Sequence, residues 1–278
     1  NICTPKMLET IDKIILIKAG DNHNTVLNSS GELYSWGNGE SHQIGIFDNV
    51  DQPIPILIRT LIGINIVNLT IGTSVSGAIS DKGDVYLWGY SIGSPVPKLI
   101  QSLQTAFAID LALGDADNCI IHTIPAQEVY IYDVDQHQYP IKYELLKGKR
   151  IRQIAQGEHY KMILDAAGVV LSWGDNKIGQ LGLGNDLENM PVPMPLALES
   201  HPSIIQISCG TSHTLLLSQQ GDVYTFGEGA FGKLGHGGDL DVSTPKKLIF
   251  PSSPHEEKMR QITTSSNNSA CISENGIL

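Results

Sequence analysis

Thiols are scarce in this 278-residue chain: Cys3, Cys119, Cys209 and Cys271 are the whole supply, and no two form a Cys-x-x-Cys pair. A disulfide framework or a zinc cluster needs paired or closely spaced thiols. These four read instead as small buried hydrophobes, which places the chain in a reducing compartment, cytoplasmic or nuclear. Charge is also sparse, at 17% of residues, and lopsided, with 29 acidic against 18 basic side chains and a formal net charge of −11. Phosphate recognition requires Lys and Arg to neutralise a polyanion, so this balance argues against direct nucleic-acid binding. One local exception, Lys142, Lys147, Lys149, Arg150 and Arg152, reads as a solvated connection. Long apolar runs are missing too. A membrane helix needs roughly 18 uninterrupted apolar residues, and the nearest approach, Leu61 to Ile71, is broken by Asn65 and Asn68. No Gly-x-Ser-x-Gly elbow and no His-Glu-x-x-His pair occurs. No catalytic residue, cofactor or metal ligand is therefore assigned.

Aromatic residues make up only 6% of the chain, and all three tryptophans fall in one repeated phrase: Trp36-Gly37, Trp88-Gly89 and Trp173-Gly174. Each follows a glycine by sixteen residues (Gly20, Gly72, Gly157), and the same interval links Gly210 to Phe226-Gly227. A shared interval defines a repeated structural unit. Its consensus is an Ile/Val-rich segment, Gly, a second apolar segment often opened by His, Gly, then x-Val/Leu-Tyr-x-Trp-Gly. Short apolar runs rich in Ile, Val and Tyr and bounded by glycine predict strands. In the fifth copy these are Ile204 to Ser208, Thr214 to Ser218 and Asp222 to Phe226, and no helix is needed. Anchors at Gly20, Gly72, Gly114, Gly157, Gly210 and Ser265 are 52, 42, 43, 53 and 55 residues apart, a period that predicts propeller blades. Repeat three is degenerate, with Tyr130-Ile131-Tyr132-Asp133 in place of Tyr-x-Trp-Gly.

The Gly-x-x-His-Thr, Gly-x-Val-Tyr-x-Trp-Gly and Gly-Gln-Leu-Gly series (the last at Gly179-Gln180-Leu181-Gly182) resembles the regulator of chromosome condensation family over nearly the whole chain. The resemblance implies an all-β fold, a β-propeller of four-stranded blades, usually seven. Thr4-Pro5-Lys6 matches Thr244-Pro245-Lys246, so the chain opens on the tail of a repeat, and Glu274 to Leu278 stops before an expected Tyr-x-Trp-Gly. Five full repeats with partial ends are expected to form a single propeller domain over 1–278, a fragment of a longer polypeptide.

Two features that look like chemistry read as scaffolding. Histidines follow the repeat glycine at His23 and His213, with His159 one residue earlier in its copy, while Val75, Asp117 and Asn268 take that place elsewhere. A recurring imidazole interrupted by such dissimilar groups is expected to hydrogen-bond a neighbouring strand. The phrases 179–184 and 232–238 lack the Gly-Lys-Ser/Thr ending and following helix of a phosphate loop, so they read as turns using glycine's access to positive φ. A tryptophan chromophore like that of the plant UV-B photoreceptor sharing this fold would need further clustered tryptophans, and all three here belong to the repeat phrase.

What remains is surface. The repeat-equivalent acidic loops, with Asp186 and Glu188 in one and Asp239 and Asp241 in the next, can steer a basic partner from a rigid scaffold. The deviant stretch of repeat three, with Asp133, Asp135, Tyr139 and Tyr143, offers carboxylates and aromatics of the kind interfaces favour. The reading is a non-enzymatic interaction scaffold docking proteins through rim loops. Resemblance implies two alternatives: guanine-nucleotide exchange on a Ran-like small GTPase, the activity of the family's founding member, and the regulatory propeller of a HECT-type ubiquitin ligase or kinase.

Overall fold

The computed structural model describes residues 11–100, 103, 106–114, 118–133, 139–184, 188–250 and 258–277. Cys3, Thr4-Pro5-Lys6, Asp117, Asp135, Asn185, Asp186, Leu187 and Leu278 lie outside them. The chain divides into two compact units, Asn1–Leu99 and Ile100–Leu278. Unit one holds two four-stranded sheets: β1 (Ile14–Ala19), β2 (His23–Asn28), β3 (Leu33–Gly37) and β4 (Gln52–Leu57), then β5 (Ile66–Ile71), β6 (Val75–Ser80), β7 (Val85–Gly89) and β8 (Ser94–Leu99). Unit two holds β9 (Phe107–Leu113), β10 (Asn118–Ile124), β11 (Glu128–Asp133) and β12 (Ile141–Lys142); β13 (Ile151–Gln156), β14 (Tyr160–Asp165), β15 (Val170–Asp175) and β16 (Asn189–Pro195); β17 (Ile204–Cys209), β18 (His213–Ser218), β19 (Val223–Gly227) and β20 (Val242–Lys247); and the pair β21 (Met259–Thr264) and β22 (Ser269–Ser273). Every sheet is an antiparallel meander in chain order. Among the described residues the helical structure is three single 3-10 turns, at Arg59–Leu61, Glu144–Leu146 and Ala230–Gly232.

The three strands expected in the fifth repeat appear within one residue of their predicted bounds. The fourth strand of each sheet does not follow from the periodicity. Pro53 and Pro55 in β4, Pro95 and Pro97 in β8, Pro191, Pro193 and Pro195 in β16, and Pro245 in β20 interrupt the pattern. Proline cannot donate to a ladder and is confined to sheet edges, and each of these strands pairs on one side only. Repeat three, degenerate in sequence, still builds a four-stranded sheet, with its last strand cut to Ile141–Lys142.

Apolar clusters form between sheets rather than within them. Leu27 and Leu33 of the first sheet pack with Leu69, Ala78 and Trp88 of the second. In unit two, Ile120 and Val129 pack with Ile154, Ile163 and Trp173, and Tyr160 and Met162 with Ile207, Leu216 and Phe226. A lone sheet of this type has no interior of its own, so stacking supplies the core. A bulge recurs six residues before each anchor, at Ile14/Leu16, Ile66/Asn68, Ala108/Asp110, Ile151/Gln153, Ile204/Gln206 and Met259/Gln261.

The anchor glycines are demanded by space. A Cβ on Gly20 would lie 2.9 Å from the Gly72 carbonyl oxygen, one on Gly157 2.6 Å from that of Gly210, and one on Gly210 2.8 Å from that of Ser265. The glycines after the aromatics answer to conformation as well: φ is +112° at Gly37, +117° at Gly89, +111° at Gly174 and +101° at Gly227. Gly157→Ala, whose methyl would also meet the Tyr160 ring, is expected to destabilise unit two by about 1–3 kcal/mol through overpacking. Gly238→Ala, with nothing within 4 Å, should stay within about 0.5 kcal/mol. Urea unfolding of the two variants checks the contrast.

Candidate partner-docking surface

The polar groups between sheets form one repeated relay. In unit one, His23 Nε2 lies 2.8 Å from Ser76 Oγ on the neighbouring sheet, and Ser76 Oγ donates to the Gln43 carbonyl at 2.8 Å. In unit two, His213 Nε2 lies 2.9 Å from Ser269 Oγ, which donates to the Lys233 carbonyl at 2.8 Å. Each hydroxyl has spent its proton on a carbonyl, so each Nε2 is the donor. The histidines thus hydrogen-bond a neighbouring strand, as the sequence pattern implies. His159 does not share this role. It is exposed beside Glu158, and Tyr160 fills the slot. The Tyr160 hydroxyl donates to the His213 carbonyl at 2.6 Å and lies 3.0 Å from the Thr214 hydroxyl, which donates to the Gln180 carbonyl at 3.1 Å. Gln43, Gln180 and Lys233 hold the same position in the glycine-rich turn, and the φ of +76° at Gly179, +73° at Gly182, +70° at Gly232 and +75° at Gly235 identifies both phrases as turns.

A second link is a side-chain clamp. Gln153 donates to the Ile207 carbonyl at 2.8 Å and accepts from its N–H at 2.9 Å, and Gln206 treats Ile262 the same way at 2.8 and 3.0 Å. The tryptophans are likewise occupied: Trp88 Nε1 donates to the Gln43 carbonyl at 3.0 Å, and Trp173 is buried. Cys119 is fully buried, and burial pushes its thiol up to about 12. Cys119 and Cys209 are free thiols. Among the described residues no cluster of His, Cys, Asp or Glu is arranged to hold a metal ion, and no helix is long and apolar enough to cross a membrane.

The loops between third and fourth strands carry the expected acidic residues. Asp241 accepts from the Gly229 N–H at 2.9 Å, so this carboxylate caps its own loop. Asp51, in the equivalent place in unit one, accepts from the Gly39 N–H at 3.0 Å and was not distinguished by sequence, because Asn49 stands where the other loop has Asp239. Glu188 and Asp239 are exposed, and the Glu188 carbonyl accepts from the Asn176 N–H at 2.8 Å. In repeat three, Tyr139 is half-exposed and Tyr143 stacks on Trp173 with ring centroids 5.5 Å apart. Asp133 is half-buried; burial lowers the Lys161 ammonium pKa, and the Asp133 charge opposes that shift. The basic stretch that follows is interleaved with carboxylates, Lys142 pairing with Glu128 at 2.5 Å and with Glu144 at 3.5 Å.

Sequence reasoning passed over the apolar members of these loops. Phe231 is 91% exposed and Leu240 85% exposed, and Gly229 is pressed against the Leu240 carbonyl, which joins the two segments. Phe231 also holds a left-handed backbone, φ 61°, which a non-glycine residue adopts at a cost of about 1 kcal/mol. In unit one Phe47 and Val50, at 73% and 58% exposure, occupy the corresponding loop. In unit two Lys233 is almost fully buried, its Nζ 2.5 Å from Glu228 Oε2 and 2.9 Å from Asn267 Oδ1.

Four-stranded meanders that stack through repeated contacts and leave loops at the sheet ends define a β-propeller repeat protein. The profile of the regulator of chromosome condensation (RCC1) repeat matches residues 30–79, 167–217 and 220–272, and a second profile of that repeat matches 14–43 and 204–233. The chain belongs to this family. It is similar to the ultraviolet-B receptor UVR8 of Arabidopsis thaliana, 29% identical over 88% of this chain and 60% of the receptor. It is also similar to the E3 ubiquitin-protein ligase HERC2 of Mus musculus, 28% identical over 99% of this chain and 5% of the ligase. The chain thus spans less than two thirds of either relative. Among solved structures, Prp20p of Saccharomyces cerevisiae, described with its binding to Gsp1p and histones, superposes with a TM-score of 0.80 at 23% identity, covering 94% of this chain and 70% of Prp20p. Human WBSCR16 superposes at 0.78 and 20%, covering 93% and 71%.

Burial lowers the pKa of His23 and of His213 from 6.5 to about 4. Unfolded histidine binds a proton below about pH 6.5 and the folded relay does not, so stability is full above that pH, falls as pH drops to about 4, and then levels. Each histidine should contribute up to about 3 kcal/mol to that loss. Urea unfolding from pH 7.5 to 4 should show the fall, and His23→Gln should remove a large part of it.

Proposed function

We propose that this chain is a non-enzymatic docking propeller, one RCC1-like domain over 1–278 carried within a longer polypeptide, which recruits protein partners through the loops between third and fourth strands. The carrying observation is the contrast within these loops. Their backbones are pinned by internal caps, Asp51 to Gly39 and Asp241 to Gly229, yet they present Phe231 and Leu240 almost wholly to solvent. Pinned loops with projecting aromatics bind without a large ordering penalty, and large apolar residues ringed by carboxylates suit a partner with an apolar socket and a basic margin. The exposed Glu188 and Asp239 are the carboxylates free to serve that margin in this reading, with Asp186 and Asp135 in the same segments. Tyr139 adds an aromatic from repeat three. Tyr143 and Asp133 would act by holding that segment in place.

Two further observations bear on the context. Nearly all of this chain aligns with 5% of HERC2, which supports a propeller serving as the regulatory or docking part of a large protein, including a HECT-type ligase. The likeness to Prp20p supplies the second reading, exchange on a Ran-like GTPase in the nucleus or cytoplasm. Nucleotide-release kinetics separates the two: docking alone leaves release from a Ran-type GTPase unchanged, and acceleration establishes exchange.

The docking reading is tested by cross-linking and mass spectrometry from the native source. Cross-linked partners should map to 39–52 and 228–242, and Phe231→Ser with Leu240→Ser should lower their recovery at least tenfold, the scale of a hot-spot loss, without lowering the melting temperature. Unchanged recovery rejects these loops as the docking surface. Phe231→Gly should separate stability from binding: relief of the left-handed backbone stabilises by about 1 kcal/mol while recovery falls.

A further inference from the structure

Three glycine-rich turns of the same build differ in one buried side chain. Gln43, Gln180 and Lys233 hold the same position in the turn and are buried alike, at 3%, 3% and 5% exposure. Each reaches back to the residue five places earlier: Gln43 Nε2 donates to Asn38 Oδ1 at 2.7 Å, Gln180 Nε2 to Asp175 Oδ2 at 3.4 Å and Lys233 Nζ to Glu228 Oε2 at 2.5 Å. Lys233 therefore keeps the donor half of the glutamine. It loses the acceptor half. Gln43 Oε1 accepts from the Ser41 N–H at 2.9 Å and Gln180 Oε1 from the Ile178 N–H at 3.0 Å, whereas an ammonium has only donors to offer.

The backbone changes at the residue that has lost its acceptor. On the far side of that residue the three turns agree: His42 N–H donates to Gly39 O, Gly179 to Asn176 O and Gly232 to Gly229 O at 2.8, 3.0 and 3.0 Å. Gly45 then donates to His42 O, Gly182 to Gly179 O and Gly235 to Gly232 O at 3.1, 2.9 and 3.0 Å. Ser41 and Ile178 keep negative φ, and the left-handed residue is the single one that follows, His42 at 56° or Gly179 at 76°. In the Lys233 turn two stand in succession, Phe231 at 61° and Gly232 at 70°. Among the described residues the Phe231 N–H meets no acceptor. Aimed inward as in the other two turns, it would face the Lys233 ammonium, donor against donor. A left-handed residue is the smaller of the two penalties.

We infer that Lys233 is the positioning residue of the docking loop: by withholding the acceptor that glutamine supplies, it turns the Phe231 N–H away and sets the left-handed backbone from which the Phe231 ring projects. Asn267 Oδ1, 2.9 Å from Nζ, and Glu228 fix the ammonium in that place. One buried residue thus makes the loop after β19 differ from the loops after β3 and β15, and a difference between otherwise equivalent loops is what lets a partner select one of them. The consequence for recognition rests on the docking reading above. The control of the backbone does not.

The test separates acceptor from charge. Lys233→Gln restores the acceptor, and Lys233→Met removes the charge without restoring it. Amide exchange at Phe231 is followed by mass spectrometry with fragmentation on the whole polypeptide from its native source, alongside recovery of cross-linked partners. Lys233→Gln should slow Phe231 exchange about tenfold, the protection one hydrogen bond of ordinary net strength gives, and lower recovery about tenfold, the scale of a hot-spot loss. Lys233→Met should leave Phe231 exchange unchanged. In the reciprocal variant, Gln43→Lys, exchange at Ser41 should quicken by about the same factor. Unchanged Phe231 exchange in Lys233→Gln, or equal slowing in Lys233→Met, overturns the inference. Slowed exchange with unchanged recovery leaves Lys233 in control of the loop and rejects the docking reading instead. Should the Lys233 variants fail to fold, Gln43→Lys decides alone: an unchanged Ser41 amide rejects the inference.

Discussion

The contact on which this architecture depends is a hydroxyl set between two sheets. Ser76, Thr214 and Ser269 each donate to a carbonyl of a glycine-rich turn while receiving or facing a polar group from the preceding sheet: His23, Tyr160 and His213. Everything nearby is arranged around keeping that distance. The anchor residues must be small because backbones approach within van der Waals contact, and the aromatic of the third strand closes the gap beside the same turn. Buried polar groups are costly when unpaired, so a relay that satisfies turn carbonyl, hydroxyl and ring together makes one stacking distance favourable and penalises others.

That use of polar side chains explains why groups that look like chemical equipment in the sequence are taken up by the stacking of sheets. Its His23 and His213 are neutral donors, its glycine-rich phrases are turns whose carbonyls face inward, and its described cysteines lie within or at the ends of strands. The residues left for recognition are those the stacking does not consume. They lie in the long connections to the edge strands, where caps such as Asp241 to Gly229 hold the backbone and the side chains of Phe231 and Leu240 face water.

Legibility followed from periodicity. The first three strands of each repeat were readable because buried strands alternate and end in glycine. The fourth strands were not, because an edge strand tolerates proline and exposure, and β8 or β16 then resembles a loop in composition. Alignment by residue type also misplaced one relay member. Histidine drew attention to His159, although Tyr160 performs the hydrogen bonding with a phenol in place of an imidazole. The candidate surface was half legible. Acidic residues stood out by recurrence, but recurrence is equally the mark of a loop cap, and Asp241 proved to be one. Phe231 and Leu240 were invisible as surface residues because apolar character in a sequence suggests burial.

The sequence alone determined the repeat, its period, the identity of the family and the inward role of histidine and tryptophan, since these follow from spacing and from side-chain chemistry that recurs in register. Tertiary structure decided which groups are spent and which remain. Whether a carboxylate caps a turn or faces a partner, and whether Tyr143 projects or stacks on Trp173, both depend on residues distant in the sequence. Such contacts leave no local signature, because they are set by the stacking of one sheet on the next.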